Sequence, residues 1–296
     1  MRILSSISFI LIFLIGCNNS AVNNKTETDK NMNSPQNDNK RVTGIGGIFF
    51  KTNDTKKTKQ WFSENIGITT DEYGAMFEFR LSENPDMIGY LQWSPFSEKT
   101  TYFQPSEKDF MINYRVDNLE LLLSELKKNN VTILDSIESY EYGKFLHIID
   151  IENNKIELWE PVDSVFTTST PNTTNQKTGI GGIFFKSKDP KKLKQWYKDN
   201  LGFNVDEHGC MFEFRNAIVP GEINVLRWCP FPDSTEYFSP SEKQFMINYR
   251  VENLEELVTK LITNGVTILD PIEYTDYGKF IHIMGPDNTK IELWEH

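Results

Sequence analysis

Residues Gly143 to Pro161 read GKFLHIIDIENNKIELWEP, and residues Gly278 to His296 read GKFIHIMGPDNTKIELWEH. Each stretch holds two apolar runs separated by turn formers, the pattern of two strands joined by a tight turn. The first strand of each carries a histidine and the second a glutamate: His147 with Glu157, His282 with Glu292. A histidine and a carboxylate on adjacent strands make a candidate acid–base pair or part of a metal site. Whether they share a face depends on hairpin register.

The duplication extends well beyond the hairpin. Residues 42–161 align with 177–296 at a constant offset and without a gap, with roughly 70 positions identical. The period is too long for a solenoid unit, so these are two domains of one fold. Residues 162–176, rich in Thr, Asn and Ser, read as a linker. Within each domain the order is strand, helix and strands, twice over. The run 44–51 is a strand. Asp54 caps a helix bearing Thr58, Trp61, Phe62 and Ile66; its twin has Asp189 as cap, Pro190 at the first helical position, and Leu193, Trp196, Tyr197 and Leu201 on one face. Gly67 and Gly202 end these helices. Strands follow at 75–80 and 89–95, then a loop at 96–108. FMINYRV opens the second module, Asp117 and Glu120 suggest a capping box, and Leu119, Leu122, Leu123 and Leu126 form the next buried stripe. Strands at 131–134, 144–149 and 155–159 complete it.

The 296-residue length suits about two domains, and 38% hydrophobic with 25% charged residues is globular composition. A net charge of −11 argues against a nucleic-acid partner and against a polybasic grip on lipid headgroups. Three cysteines are too few for a disulfide framework. Cys210 and Cys229 occur only in the second copy, on strands of one presumptive hairpin. Outside the cytoplasm they could oxidise, but cross-strand geometry is restrictive and two free buried thiols are the favoured reading.

The first seventeen residues, MRILSSISFILIFLIGC, have Arg2, a short apolar run and then Leu14-Ile15-Gly16-Cys17. The run is short for a spanning helix and has the layout of a secretion signal. Its last four residues resemble the bacterial lipobox, which implies cleavage before Cys17 and lipidation of it. Residues 18–41 have almost nothing apolar to bury and read as a disordered tether. The expected address is the bacterial cell envelope, with Asn18 favouring the outer membrane.

GIGGIFFK, FMINYRVDNLE and DIENNKIELWE, with the helices between them, resemble the vicinal oxygen chelate superfamily, which includes glyoxalase I, bleomycin-resistance proteins and extradiol dioxygenases. The resemblance spans nearly all of both domains. It implies an α+β fold of paired βαβββ modules, with curved mixed sheets around a cleft and helices outside. It also implies that the two domains pack together as an intramolecular pseudo-dimer. In metal-dependent relatives a histidine opens the first strand of each module. Those positions here hold Gly47 and Met111, and Gly182 and Met246. Glycine has no side chain, and a thioether is a poor ligand for hard or borderline cations. The closing glutamates, Glu157 and Glu292, do match. A divalent metal is therefore a cofactor in question, with these two glutamates as its candidate ligands.

The candidate catalytic residues are His147, Glu157, His282 and Glu292. Candidate ligand-binding residues are Glu78, Trp93, Asn113 and Arg115, with their twins Glu213, Trp228, Asn248 and Arg250. Strand alternation puts Met111, Asn113 and Arg115 on one face, and Glu157 with Trp159. Tyr102 and Tyr237 are further aromatics near the cleft; Trp61 and Trp196 belong to the core. Against these stand plainer roles: a packed histidine, Glu78–Arg80 pairing across the sheet, core tryptophans. No HExxH, CxxC, nucleophile elbow or P-loop occurs, and Gly44-x-Gly46-Gly47 opens a strand without a dinucleotide signature. Three functions compete: an enzyme acting on a small oxygenated metabolite with an altered or absent metal, a non-catalytic protein that binds a small-molecule ligand, and a structural or partner-binding lipoprotein with plugged clefts.

Overall fold

Asp189 accepts the Lys192 amide proton, Pro190 fills the first helical position, and Gly202 turns the chain out at φ 71°. The first repeat uses Asp54 in the same way, accepting from Lys56 and Lys57. Such caps satisfy helix-end groups that have no partner within the helix. They fix where each helix begins, and hence which of its faces meets the sheet.

The computed structural model describes residues 41–166 and 178–296. The leader at 1–17 with Cys17, the tether up to residue 40, and residues 167–177 of the linker lie outside the described residues. The first repeat contains β1 (Val42–Thr52), α1 (Thr55–Asn65), β2 (Ala75–Leu81), β3 (Ile88–Ser97), β4 (Phe110–Val116), α2 (Leu119–Lys128), β5 (Thr132–Ile133), β6 (Glu138–Tyr140), β7 (Gly143–Ile149) and β8 (Lys155–Pro161). A short helix, α3 (Asp163–Phe166), forms at the start of the expected linker. The second repeat contains β9 (Gly179–Ser187), α4 (Pro190–Leu201), β10 (Cys210–Arg215), β11 (Ile223–Pro232), β12 (Phe245–Arg250), α5 (Leu254–Thr263), β13 (Glu273–Thr275), β14 (Gly278–Met284) and β15 (Lys290–Glu295).

In each half the modules meet through their first strands. β1 runs parallel to β3 and antiparallel to β4, and β4 runs parallel to β8. The strand order β2-β3-β1-β4-β8-β7 is matched by β10-β11-β9-β12-β15-β14 in the second half, with β6 on β7 matched by β13 on β14. β2 and β10 pair antiparallel through Phe214 with Leu81 and Arg215 with Arg80, joining both halves in one curved mixed sheet. This α+β arrangement agrees with the expected paired modules.

One face of the sheet meets the helices and the other half of the molecule. Trp93 and Trp228 are fully buried there, and each indole N–H donates across the seam: Trp93 to the Tyr249 hydroxyl and Trp228 to the Tyr114 hydroxyl, both at 2.8 Å. The expected ligand-binding role for these two tryptophans is therefore corrected. Strand alternation turns them away from the cleft and into the core, where a buried indole needs an acceptor. Reciprocal side-chain bridges reinforce the seam. Glu152 accepts from Ser187 and from the amides of Lys188 and Asp189, while Asp287 accepts from Thr52 and Asn53.

Two local expectations change, while the favoured reading of the cysteines holds. Asn118, not Asp117, caps α2, accepting from the Leu121 amide at 2.8 Å. The Leu119 amide goes to Glu160 on β8 rather than into a capping box. β6 and β13 lack apolar periodicity, because they are three-residue, mostly exposed edge strands. Cys210 and Cys229 are free and buried. Cys210 lies opposite Trp228, so Cys229 projects from the other face, and no bond can join the two thiols.

Tyr114→Phe removes the acceptor of a buried indole N–H, which costs about 1–3 kcal/mol. The expected result in urea unfolding is a loss of that size with a single transition for both halves. Two separate transitions would show that the seam does not couple them.

Candidate functional site

The registers of five adjacent strands set one row of residues across each half. In the first half it runs Gln92, Gly47, Asn113, Glu157, His147. In the second it runs Arg227, Gly182, Asn248, Glu292, His282. Paired residues point to the same side, so the register question is resolved: histidine and glutamate share the face opposite the core tryptophans. The curvature of the sheet makes this the cleft face.

Glu157 is 4% exposed and Glu292 1%. A carboxylate so far from water needs donors on both oxygens. Asn113 donates to Glu157 Oε1 at 2.6 Å, and His147 Nε2 lies 2.9 Å from Oε2. The Tyr102 hydroxyl, brought over the sheet by the 98–108 loop, also donates to Oε2. His147 Nδ1 lies 2.6 Å from Asp135 Oδ2, and Asp135 Oδ1 accepts the His147 backbone N–H at 2.8 Å. The second half repeats each contact with Asn248, His282, Tyr237 and Asp270 around Glu292. Lys155 and Lys290 close the arrangement, donating to the Tyr102 and Tyr237 carbonyls and lying over their rings.

The electrostatics follow from these contacts. Burial pushes the Glu157 carboxyl up, but hydrogen bonds from His147, Tyr102 and Asn113 outweigh it and hold the group below its ordinary range. Burial disfavours the His147 imidazolium, but Glu157 and Asp135 on either side raise it above the usual histidine value. Burial and the adjacent carboxylate push Tyr102 well above the usual phenol range, so it is a hydrogen-bond donor rather than a phenolate. The imidazolium is spent on two carboxylates, and neither ring nitrogen faces open space as a general base would.

Beside this hub the cleft is filled. Phe49, Phe103 and Met111 form a buried cluster with Phe96 against it. Phe184, Phe238 and Met246 are equally buried in the second half, with Phe184 and Phe238 each against Phe231. A Cβ added at Gly47 would lie 2.7 Å from the Phe49 ring, and one at Gly182 would lie 2.9 Å from the Phe184 ring. The space a ligating side chain would take on β1 and β9 is thus occupied by those rings. Among the described residues no group of three or more His, Cys, Asp and Glu is placed to hold a metal ion. With thioethers at Met111 and Met246 and both glutamates fully bonded, the residues present do not fit the metal of the fold's metal-dependent members.

Of the other expected residues, Glu78 is half-buried on β2 and accepts from the Tyr90 hydroxyl at 3.1 Å, while Glu213 is exposed. Arg80 and Arg215 donate to the Ala217 and Ser82 carbonyls across the β2–β10 seam. Arg115 is buried and paired with Asp163, whereas Arg250 is part-exposed and paired with Glu222. The residues missed from sequence are Asp135 and Asp270. The signal was present, since VTILD recurs intact in both repeats just ahead of the histidine strand.

The sign of the pH dependence follows. His147, raised above 6.5, contributes fully below that value and loses its contribution as pH rises through its folded value. Glu157, lowered from 4.5, contributes fully above that value and loses its contribution as pH falls. Thermal unfolding of the parent and of a His147→Gln, His282→Gln variant should therefore differ most between pH 4.5 and 6.5 and converge in alkali. A gap that widens in alkali would contradict the charge assignment.

No protein-family model matches this sequence, and no curated relative does. Solved structures match the fold. A catechol 2,3-dioxygenase aligns with a TM-score of 0.57 at 14% identity, covering 86% of this chain and 88% of that one. A Mn(II)-bound glyoxalase from Novosphingobium aromaticivorans aligns at 0.53 and 13%, covering 86% and 82%. A 2,2',3-trihydroxybiphenyl 1,2-dioxygenase from Sphingomonas wittichii aligns at 0.51 and 15%, covering 86% and 91%. Strand order, module pairing and these neighbours agree, and the chain has the fold of the vicinal oxygen chelate superfamily, in two tandem copies.

Proposed function

We propose that this glyoxalase-like chain binds a small molecule rather than transforming one, from a lipid-anchored position in the bacterial envelope. The observation that carries the reading is the state of the pair of groups that recurs in the two repeats: in both halves the glutamate and histidine of the cleft are fully bonded to each other and to neighbouring side chains. The apolar filling around Gly47 and Gly182 argues against metal-dependent chemistry, because it replaces two donors that such chemistry would use, and it equally favours the plugged-cleft, partner-binding alternative. The named activities of the structural neighbours, ring-cleaving dioxygenase and glyoxalase, remain theirs; a shared fold hosts many functions.

A metal-free enzyme is the second reading. It is favoured by the presence of the same Asp, His, Glu and Tyr set in both halves, with Tyr102 on a loop and 38% exposed. Lifting of that loop would remove the Tyr102 donor from Glu157 Oε2 and uncover the His147–Glu157 pair, with His147 still held by Asp135.

Elemental analysis of the purified chain, with and without added Mn(II), Fe(II) and Zn(II), tests the metal-free premise that both readings share. The expected outcome is no stoichiometric metal and no change in unfolding temperature on metal addition. Divalent metal retained in stoichiometric amount, and lost with Glu157→Gln plus Glu292→Gln, would overturn it. The anchor is tested separately: Cys17→Ser should move the protein from the membrane to the soluble fraction, since stable anchoring depends on attached acyl chains. Unchanged fractionation would remove the lipid from the proposal.

A further inference from the structure

We propose that the Arg115 end of the first half's cleft face is a recognition site for a small carboxylate, occupied from within the chain by Asp163. The proposal rests on the binding reading above and names its ligand class.

Arg115 is 3% exposed and held before any ligand arrives. Its guanidinium carbon lies 5.2 Å from the Trp159 ring centre and 5.6 Å from that of Phe79. Trp159 is itself fixed, stacked on Phe145 at 5.9 Å and donating from its indole to the Tyr142 carbonyl. A planar, always-charged guanidinium clamped against aromatic rings is the arrangement that recognises carboxylates with little loss of freedom.

The present occupant fits it incompletely. Both Asp163 oxygens lie 2.7 Å from Nη2. Nη1 is buried and has no hydrogen-bond partner. The strong mode for this pair is side-on, one oxygen to each of two nitrogens. Asp163 is tethered to the backbone of α3, a four-residue helix whose Ser164 and Val165 are exposed. It reaches the arginine end-on and leaves one donor unmet. A free carboxylate can turn to meet both nitrogens, which gives it a route to displace the tethered one.

The second half offers an independent comparison. Arg250 stands at the twin position, and there Glu222 supplies the carboxylate, with Oε1 2.6 Å from Nη2. The first-half twin of Glu222 is Met87, which has no charge. Each half thus brings a carboxylate to the same arginine by a different route. What the halves share is the site's demand for that group, not its supplier. The first-half site is the buried one; Arg250 has 30% of its side chain exposed and shares its charge with water.

The test titrates the full chain with sodium acetate and sodium benzoate, against sodium chloride at equal ionic strength, by calorimetry and thermal unfolding. Asp163→Ala should unfold at lower temperature than the parent. It should regain stability in either carboxylate, and should bind it about tenfold or more tightly than the parent does, a difference of about 1.4 kcal/mol. Adding Arg115→Gln to Asp163→Ala should abolish both effects. If the alanine variant does not fold, Asp163→Asn carries the same comparison. Equal binding by parent and variant, or binding that survives loss of Arg115, overturns the proposal. Metal loading in the earlier experiment would instead sink the binding reading while leaving this affinity measurable, so the two failures are distinct.

Discussion

A carboxylate taken out of water inside a β-sheet sets the terms for everything around it. Unmet, the buried charge of Glu157 would be far too costly to keep. Its donors come from three separate places: Asn113 on the neighbouring parallel strand, His147 on the antiparallel one, and Tyr102 from a loop that crosses the face. Meeting one side chain thus ties the closing hairpin, the start of the second module and the crossing loop together. Asp135 extends the tie to the segment before β6. The arrangement recurs around Glu292, so each half carries its own polar fastening while the apolar core joins the halves.

The same economy shapes the rest of the cleft face. Along β4 the inward residues change character every two positions. Met111 belongs to an aromatic filling, Asn113 to the polar hub, and Arg115 to an ion pair over aromatic rings. A face that holds catalytic ligands in the fold's metal-dependent members has here been divided among three kinds of internal contact. Both oxygens of each buried glutamate and both nitrogens of each cleft histidine are engaged, while Arg115 Nη1 and the Asn113 oxygen are left without a partner.

Much of this was legible in the sequence, and the reason is periodicity. Strands with a two-residue alternation and helices marked by Asp54, Asp189 and Pro190 announce themselves locally. The duplication doubled every signal. The absence of histidine at positions 47 and 111 was equally plain. Less legible was anything decided by distant pairing. Trp93 looks like a cleft aromatic until the other half supplies Tyr249 as its acceptor. Asp135 looks like a loop residue until β7 folds back beside it. Asp163 sits in a Thr- and Ser-rich stretch that reads as linker, and its arginine partner is visible only once the sheet is assembled. Register and long-range partners are properties of the assembled sheet, and a single sequence states them weakly.

The seam between the halves is not symmetric, and that has a consequence. Asp150, buried, accepts from the Tyr197 hydroxyl at 3.2 Å across the seam. At the mirrored position stand Gly285 and Phe62, with a small hollow bordered by Phe62, Tyr249 and Pro286. One seam contact sets acid against hydroxyl, and the mirrored one sets hydrogen against ring. Two copies of the first half, docked on each other, would set the acid of each against a phenylalanine. Two copies of the second would set each tyrosine hydroxyl against a bare glycine. Only the unlike pairing sets the Asp150 carboxylate against the Tyr197 hydroxyl, so this contact marks the two halves as complementary rather than interchangeable.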